Sequence, residues 1–470
     1  MSALTLQDYI SGVQNKTIDP KQYLAEVLSK IEGSPLNAFV RLHPDYASSH
    51  IENVGSLPLA GAPIAIKDNI LTTGYISSCG SHMLEKYVSP YSATCFERLE
   101  KAGGIMVGKT NMDEFAMGTT NENSAFWPVQ SPYGTNRVAW WSSWWSAAAV
   151  GADLVLAALG TDTGGSVRLP AAFCGVVGMK PTYGRISRYG VQAMAASLNQ
   201  VGIITKIVDD AVLLLSTISG YDPADAQSHL ESWNTTDWAK DSYDPTKFRV
   251  AIPKEFLVQG LDPAIKKRLV DCVAKLKEKW VTVDEVSLPL LDYVVPIYYT
   301  ICPAEVSSDL ARFDGIRFGL QKDMNDFSSL LDYYDDIRSA WFGEEVKRRI
   351  LLGTYVLSSA HYEWLYLKAQ TARDVLKKSL TELYKNYDVV LSPTSPELAW
   401  TIWQKSSDPL AMYLADLYTI PANLCGLPAM SVPAGFIDQD GEQLAVWLHI
   451  MTDAWQEGKL FAFGRLLEKL

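Results

Sequence analysis

The chain has 470 residues, 48% hydrophobic and 20% charged, enough to bury a large α/β core as one domain or as two to three smaller ones. Its 41 Lys and Arg against 53 Asp and Glu leave a net charge of −12, which argues against a protein that holds nucleic acid by bulk electrostatics. No run of about 18 apolar residues marks a membrane span, and Met1 to Asp8 lack the basic-then-apolar layout of a signal peptide.

In chain order, the first strong element is a helix from Lys21 to Ile31. Asp19 can accept its free N–H groups, Pro20 fits its first turn and Gly33 ends it. Short apolar runs then alternate with helices. Pro63–Ile66 and Gly104–Val107 read as buried strands on either side of a helix from Ala93 to Lys101. Phe248–Ile252, Val281–Val283 and Asp388–Leu391 read as further strands, with a helix from Pro263 to about Lys279. The alternation predicts an α/β fold, a mixed sheet with helices on both faces. Residues 1–35 are expected to be N-terminal helices. The charged, helical stretch from about 303 to 385 is expected to be an insertion within one domain spanning 1–470, since no linker or repeat divides the chain.

The six cysteines are scattered with no C-x-x-C, and the six histidines form no H-E-x-x-H or close pair. Neither a disulfide framework nor a metal site is expected, and a histidine-based triad has little to build on. The densest chemical signal is Gly160-Thr-Asp-Thr-Gly-Gly-Ser166-Val-Arg-Leu-Pro170. A serine after two glycines sits on backbone that can turn sharply and expose N–H groups, as an acyl-transfer nucleophile with an oxyanion hole requires. A plain glycine turn before a helix reads equally well. A phosphate loop does not, because no Gly-Lys-Ser/Thr follows. Lys67 ends an apolar strand. It is either a buried amine whose proton is easily lost or a snorkelling strand-end lysine. Ser142, Ser143 and Ser146 form a second serine cluster that could relay a proton.

Together these pieces resemble the amidase signature family, whose pattern is a lysine, then G-G-S-S-G-G-S, then G-T-D-x-G-G-S-x-R-x-P. The spacings agree: 75 residues from Lys67 to Ser142 and 24 from Ser142 to Ser166. Within that family the chain is most similar to the glutaminase subunits of tRNA-dependent amidotransferases, through Gly108–Gly118, Lys180–Gly190, Gly343–Arg349 and Tyr413–Tyr418. The resemblance implies a triad of Lys67, Ser142 in a cis conformation, and the nucleophile Ser166. It implies an oxyanion hole from the N–H groups of Thr163, Gly164, Gly165 and Ser166. Glutamine would be gripped by Tyr299, by Arg348 or Arg349, and by Asp416. Ammonia would pass to a kinase-like B subunit that uses ATP and magnesium, with a small C subunit bracing the pair. Glu-tRNA(Gln) or Asp-tRNA(Asn) would be held mainly by the B subunit. No cofactor is expected in this chain, and its expected place is the cytoplasm or an organellar matrix.

The sequence departs from the family at one feature. Of its 14 tryptophans, Trp140, Trp141, Trp144 and Trp145 replace all four glycines around Ser142-Ser143, and Trp127, Trp403 and Trp447 also stand at family glycines. Trp280 lies where a left-handed glycine usually stops a helix. Residues with a Cβ at positive φ cost about 1–3 kcal/mol each, and overpacking adds a similar amount per site. The substituted loop is therefore expected to impair turnover. A stand-alone amide hydrolase of the same family and a catalytically dead scaffold subunit are the alternatives.

Overall fold

The computed structural model describes residues 4–52, 54–118, 123–127, 142–230, 238, 242–257, 260–399, 415–439 and 441–470. Its centre is an eleven-stranded sheet. The strands are β1 (Phe39–Leu42), β2 (Pro63–Lys67), β3 (Ile105–Thr110), β4 (Ala157–Asp162), β5 (Val177–Lys180), β6 (Gln200–Thr205), β7 (Arg249–Pro253), β8 (Thr282–Val286), β9 (Val389–Pro393), β10 (Ala429–Gln439) and β11 (Glu442–Met451). Their order is β1-β3-β2-β4-β6-β5-β10-β11-β9-β7-β8. β3, β2 and β4 are parallel, as are β8, β7 and β9, while the strands between the two groups pair antiparallel.

Successive strand residues point to opposite faces, so a strand buried at every position is covered on both. β2, β3, β4, β5, β6 and β9 meet that condition. Helix Trp144–Gly151 packs against β4, Arg168–Phe173 against β5 and β11, Val208–Ile218 against β6 and Glu457–Leu467 against β10. The expected mixed α/β architecture is the one observed.

Local signals hold closely. The first long helix is Pro20–Glu32, and Asp19 accepts the N–H groups of Lys21 and Gln22 at 2.8 and 3.2 Å. The two later helices expected from the sequence run Thr94–Lys101 and Pro263–Glu278. Just past the latter, Trp280 has φ +67° and is 89% exposed: the left-handed stop is there, occupied by an indole. The segment expected to be helical from about 303 begins earlier, at Val294. It is broken into Val294–Asp309, Leu330–Trp341, Glu344–Leu357 and Lys368–Tyr384. Pro303 lies inside the first of these. No helix among the described residues is long and apolar enough to cross a membrane.

Candidate active site

Two parallel strands end side by side. β2 delivers Lys67 from its last position and β4 delivers Asp162, so the turn from Thr163 to Ser166 leaves the sheet beside the lysine. This is the carboxyl edge of parallel strands, where open α/β sheets place ligands. Lys67 has no exposed surface, and burial lowers its amine from 10.5 to about 7.

Its Nζ lies 2.7 Å from Ser142 Oγ, 2.7 Å from Ser143 Oγ and 3.5 Å from the Thr161 carbonyl. The two serines are not equivalent. Ser143 Oγ gives its proton to the Thr161 carbonyl at 3.0 Å, so toward Lys67 it can only accept. Ser142 Oγ has no other acceptor among the described residues, which leaves its proton for the lysine lone pair. A neutral amine donating to Ser143 and Thr161 while accepting from Ser142 satisfies every group.

Ser166 is 3% exposed and follows Gly165, whose φ of +136° only glycine adopts readily. A Cβ there would stand 2.4 Å from Thr419 Oγ1. Asp162 braces the turn, its carboxylate accepting the N–H groups of Gly165 at 3.0 Å and Val167 at 3.1 Å. The same carboxylate takes Arg168 Nε and Nη2 at 3.0 and 2.9 Å, and Asn423 Nδ2 at 2.9 Å. Burial alone would raise Asp162, but the adjacent Arg168 guanidinium overrides it and holds the acid well below the usual carboxylate range.

The Gly165 N–H corrects one expectation: it is turned inward to Asp162, so it is no oxyanion donor. Among the described residues the N–H groups of Thr163, Gly164 and Ser166 have no acceptor. Nor does a hydrogen bond join Ser142 to Ser166 in this structure, a link that in ligand-free enzymes is often long. No described peptide bond is cis. Trp141, which precedes Ser142, lies outside the described residues, as do Trp140, Trp403 and Tyr413.

A second cluster lies against the same turn. Tyr298 sets its hydroxyl so close to Gly164 that a Cβ there would lie 2.7 Å away, and Thr419 Oγ1 donates to the Gly164 carbonyl at 2.6 Å. Tyr299, next on the helix, donates to Asp416 Oδ2 at 2.8 Å. Arg349 is buried, its guanidinium 5.9 Å from the Tyr299 ring centre and its Nε on Glu345 at 2.8 Å. Arg349 Nη2 and Asp416 Oδ1 are both buried with no partner among the described residues. Burial pushes the Asp416 carboxyl well above its usual range, with the Tyr299 hydroxyl and Arg349 pulling the other way.

Arg348 is different. Its side chain is 52% exposed and paired with Glu345 at the helix surface, so the structure brings Arg349 to the site and leaves Arg348 outside. Sequence reasoning passed over Asp162, Tyr298 and Thr419 as functional positions, and it named Ser143 only as a member of the relay cluster. For Asp162 a signal was present, since an Asp four residues before a turn serine and six before an arginine is the pattern of a carboxylate tying its own loop. Among the described residues no group of three His, Cys, Asp or Glu could hold a metal ion.

Trp144 and Trp145 open the helix that follows Ser142-Ser143. Both are fully buried, and neither indole N–H has a partner among the described residues. Trp127 donates to the Asn37 carbonyl at 3.0 Å, and Trp447 is buried in β11.

Comparison with known proteins places this geometry. The family model described as Amidase matches residues 22–461. The A subunit of glutamyl-tRNA(Gln) amidotransferase from Halothermothrix orenii is 44% identical over 469 residues, 99% of this chain and 97% of that protein. The protein of the same name from Desulforamulus reducens is 46% identical over 419 residues, 89% of this chain and 84% of that protein. The crystal structure of its Thermotoga maritima counterpart superposes with a TM-score of 0.80 at 38% identity, covering 99% of this chain and 94% of that one. A 6-aminohexanoate cyclic dimer hydrolase, at 23% identity and TM-score 0.85 over 99% of this chain and 96% of its own, shares the fold.

Proposed function

The chain belongs to the amidase family, and we propose from that premise that it is the glutamine-hydrolysing subunit of a tRNA-dependent amidotransferase. The observation that carries the substrate assignment is the pair of unpartnered buried atoms beside the Ser166 turn, Arg349 Nη2 and Asp416 Oδ1. A buried donor on a cation and a buried acceptor on an acid each cost free energy until paired. An amino acid brings the α-carboxylate and α-ammonium that pair them, and glutamine alone among common amino acids then extends a carboxamide long enough to present to a nucleophile.

In the reaction, neutral Lys67 takes the proton of Ser142 as Ser142 takes that of Ser166. Ser166 Oγ attacks the side-chain carbonyl carbon of glutamine, and the developing oxyanion is held by N–H groups drawn from Thr163, Gly164 and Ser166. The proton returns through Ser142 to the leaving nitrogen, the C–N bond breaks and ammonia departs. Water, deprotonated by the same relay, attacks the Ser166 ester and releases glutamate.

Ammonia is destined for a B subunit that activates the misacylated tRNA with ATP and magnesium, with a C subunit bracing the complex. tRNA is held mainly by the B subunit, and the setting is cytoplasmic or an organellar matrix. The 42–46% identity to proteins that carry the amidotransferase name over most of their length supports this division of labour. The buried, unpartnered indoles of Trp144 and Trp145 favour a second reading, a chain that docks its partners with slowed turnover. Purification with B and C subunits, followed by glutamate release and mass-spectrometric trapping of a glutamyl ester on Ser166, tests both. The ester and its loss in Ser166→Ala are expected. A complex that assembles without any ester makes the chain a scaffold.

A further inference from the structure

The two blocks most characteristic of the narrower resemblance, Gly108–Gly118 and Gly343–Arg349, are far apart in sequence and meet in space. Glu114 is 3% exposed, and one carboxylate oxygen accepts the Ser81 hydroxyl. The other, Oε2, accepts the N–H of Gly343 at 2.7 Å. Gly343 is the residue that caps helix Glu344–Leu357, and no side chain of its own caps that end. The carboxyl group thus supplies from another element what a capping residue supplies locally, an acceptor for a free N–H, and, ionised above the value of about 7 to which burial raises it, a negative charge at the positive end of the helix. A Cβ on Gly343 would meet Glu114 Oε2 at 2.4 Å, so the contact requires glycine.

The turn carrying Glu114 is held in a costly shape to make this contact. Phe115 and Ala116 have φ of +48° and +63°, conformations L residues adopt only when the surroundings enforce them. The Phe115 ring lies 5.7 Å from Phe342, the residue just before the cap, and 4.9 Å from Phe313. Helix Glu344–Leu357 carries Glu345 in its first turn, and Glu345 holds Arg349 Nε. The position of the guanidinium therefore depends on where the helix begins.

We propose that Glu114 is a positioning residue for substrate recognition: by fixing the start of helix Glu344–Leu357 it sets Arg349 against the α-carboxylate of glutamine. The proposal rests on the assignment of Arg349 to that carboxylate. No hydrogen bond or ion pair joins Glu114 to Lys67, Ser142 or Ser166 among the described residues, and its direct contacts run to Ser81 and the start of the arginine's helix, so its loss acts first on recognition.

The experiment uses the full chain with glutamine as the probe. Equilibrium affinity is measured by calorimetry, which needs no turnover, and KM and kcat are measured with butanamide as a comparison substrate lacking the α-groups. Glu114→Ala is expected to weaken glutamine binding and raise its KM by roughly tenfold, the size of one lost charged hydrogen bond, with butanamide hydrolysis unchanged within about threefold. Glu114→Gln keeps an acceptor for Gly343 and is expected to restore most of the affinity. Should Glu114→Ala fail to fold, Gly343→Ala displaces the carboxylate without removing it, and the same weakening is expected. Equal loss for both amides, or unchanged glutamine affinity in Glu114→Ala and Gly343→Ala, overturns the proposal while leaving the glutaminase reading intact. An unaltered chain that does not bind glutamine overturns that reading itself, and the proposal with it.

Discussion

Replacing Lys67 with arginine and following glutamine hydrolysis across about pH 5.5 to 9 puts the relay to its sharpest trial. Burial brings the amine from 10.5 to about 7, with Cys79, Asp113 and Asp162 each pulling it partway back. At about pH 8 a group titrating at 7 is roughly nine-tenths neutral, against about 0.3% for an ordinary lysine, a gain of roughly 300-fold in competent base. The expected profile of kcat/KM rises to a plateau with its midpoint near 7. Arginine stays charged over the whole range and cannot take the Ser142 proton, so Lys67→Arg should lose at least about a hundredfold and show no such limb. The same shift affects stability. The unfolded lysine binds a proton that the folded one has shed between about 7 and 10.5, so the unfolded state holds more protons there and stability rises with pH through that window. Lys67→Met removes this contribution, and its urea midpoint should gain on that of the native chain below pH 7 and lose the advantage above. A native profile with no limb near neutrality, or a Lys67→Arg variant that keeps both rate and limb, refutes the assignment.

Arg349→Lys is expected to raise KM for glutamine by about tenfold or more, since a single ammonium cannot reproduce the guanidinium fork, whereas Arg348→Ala should leave it within about twofold. Steady-state kinetics on the two variants decides between them, and equal effects would contradict the burial difference. Restoring glycine at 140, 141, 144 and 145 should raise kcat/KM at least about tenfold. The unpaired indole N–H groups cost about 1–3 kcal/mol each, while losing the buried rings costs a comparable amount, so denaturant midpoints should move far less than activity. Trp280→Gly relieves about 1–2 kcal/mol of left-handed strain and gives back about 0.4–1 kcal/mol to the unfolded chain, a net gain near 1 kcal/mol readable as a higher urea midpoint. Glycine is thus the residue that the backbone at 280 calls for. Peptide mass spectrometry of the chain made in its own cells is expected to read glycine there and at 144 and 145, through a codon translated as glycine; tryptophan at all three would refute that expectation.

What the sequence disclosed was what short-range physics writes into a few adjacent residues. Asp19-Pro20 begins a helix because a carboxylate and a ring without an N–H suit a first turn, and the helix starts there. Pro63–Ile66 and Gly104–Val107 read as buried strands because every residue is apolar or small, and they became β2 and β3. β1, β4, β5, β6, β10 and β11 escaped notice. Their runs include Lys180, Thr205, Ser431 and His449, polar residues acceptable only because distant elements supply partners, such as the Arg168 guanidinium 2.8 Å from His449 Nε2. The choice between Arg348 and Arg349 had a signal that was masked. Val346, Arg349, Gly353 and Val356 form the buried stripe at helical spacing, but Ile350, Leu351 and Leu352 suggest another face, and Leu351 is 71% exposed.

The site divides along the same line. Its nucleophile turn is local, six residues whose own Asp162 ties their own N–H groups, and so it carries a sequence signature. The specificity proposed for it is not local: Tyr299, Arg349 and Asp416 come from three separate segments. Glu114 acts at that second level, through the start of one helix, which is why no spacing rule points to it. The tryptophans around Ser142 act at the first level. Among the described ones, Trp144 and Trp145 leave the Lys67–Ser142 contact at 2.7 Å in place and bury two indoles at the start of the helix that follows it. A change confined to that loop should therefore lower kcat with glutamine affinity kept, and loss of the Glu114–Gly343 contact should do the reverse. The two lesions are separable by one kinetic measurement on each, because the proposed assignment gives transition-state contacts and ground-state contacts to different elements.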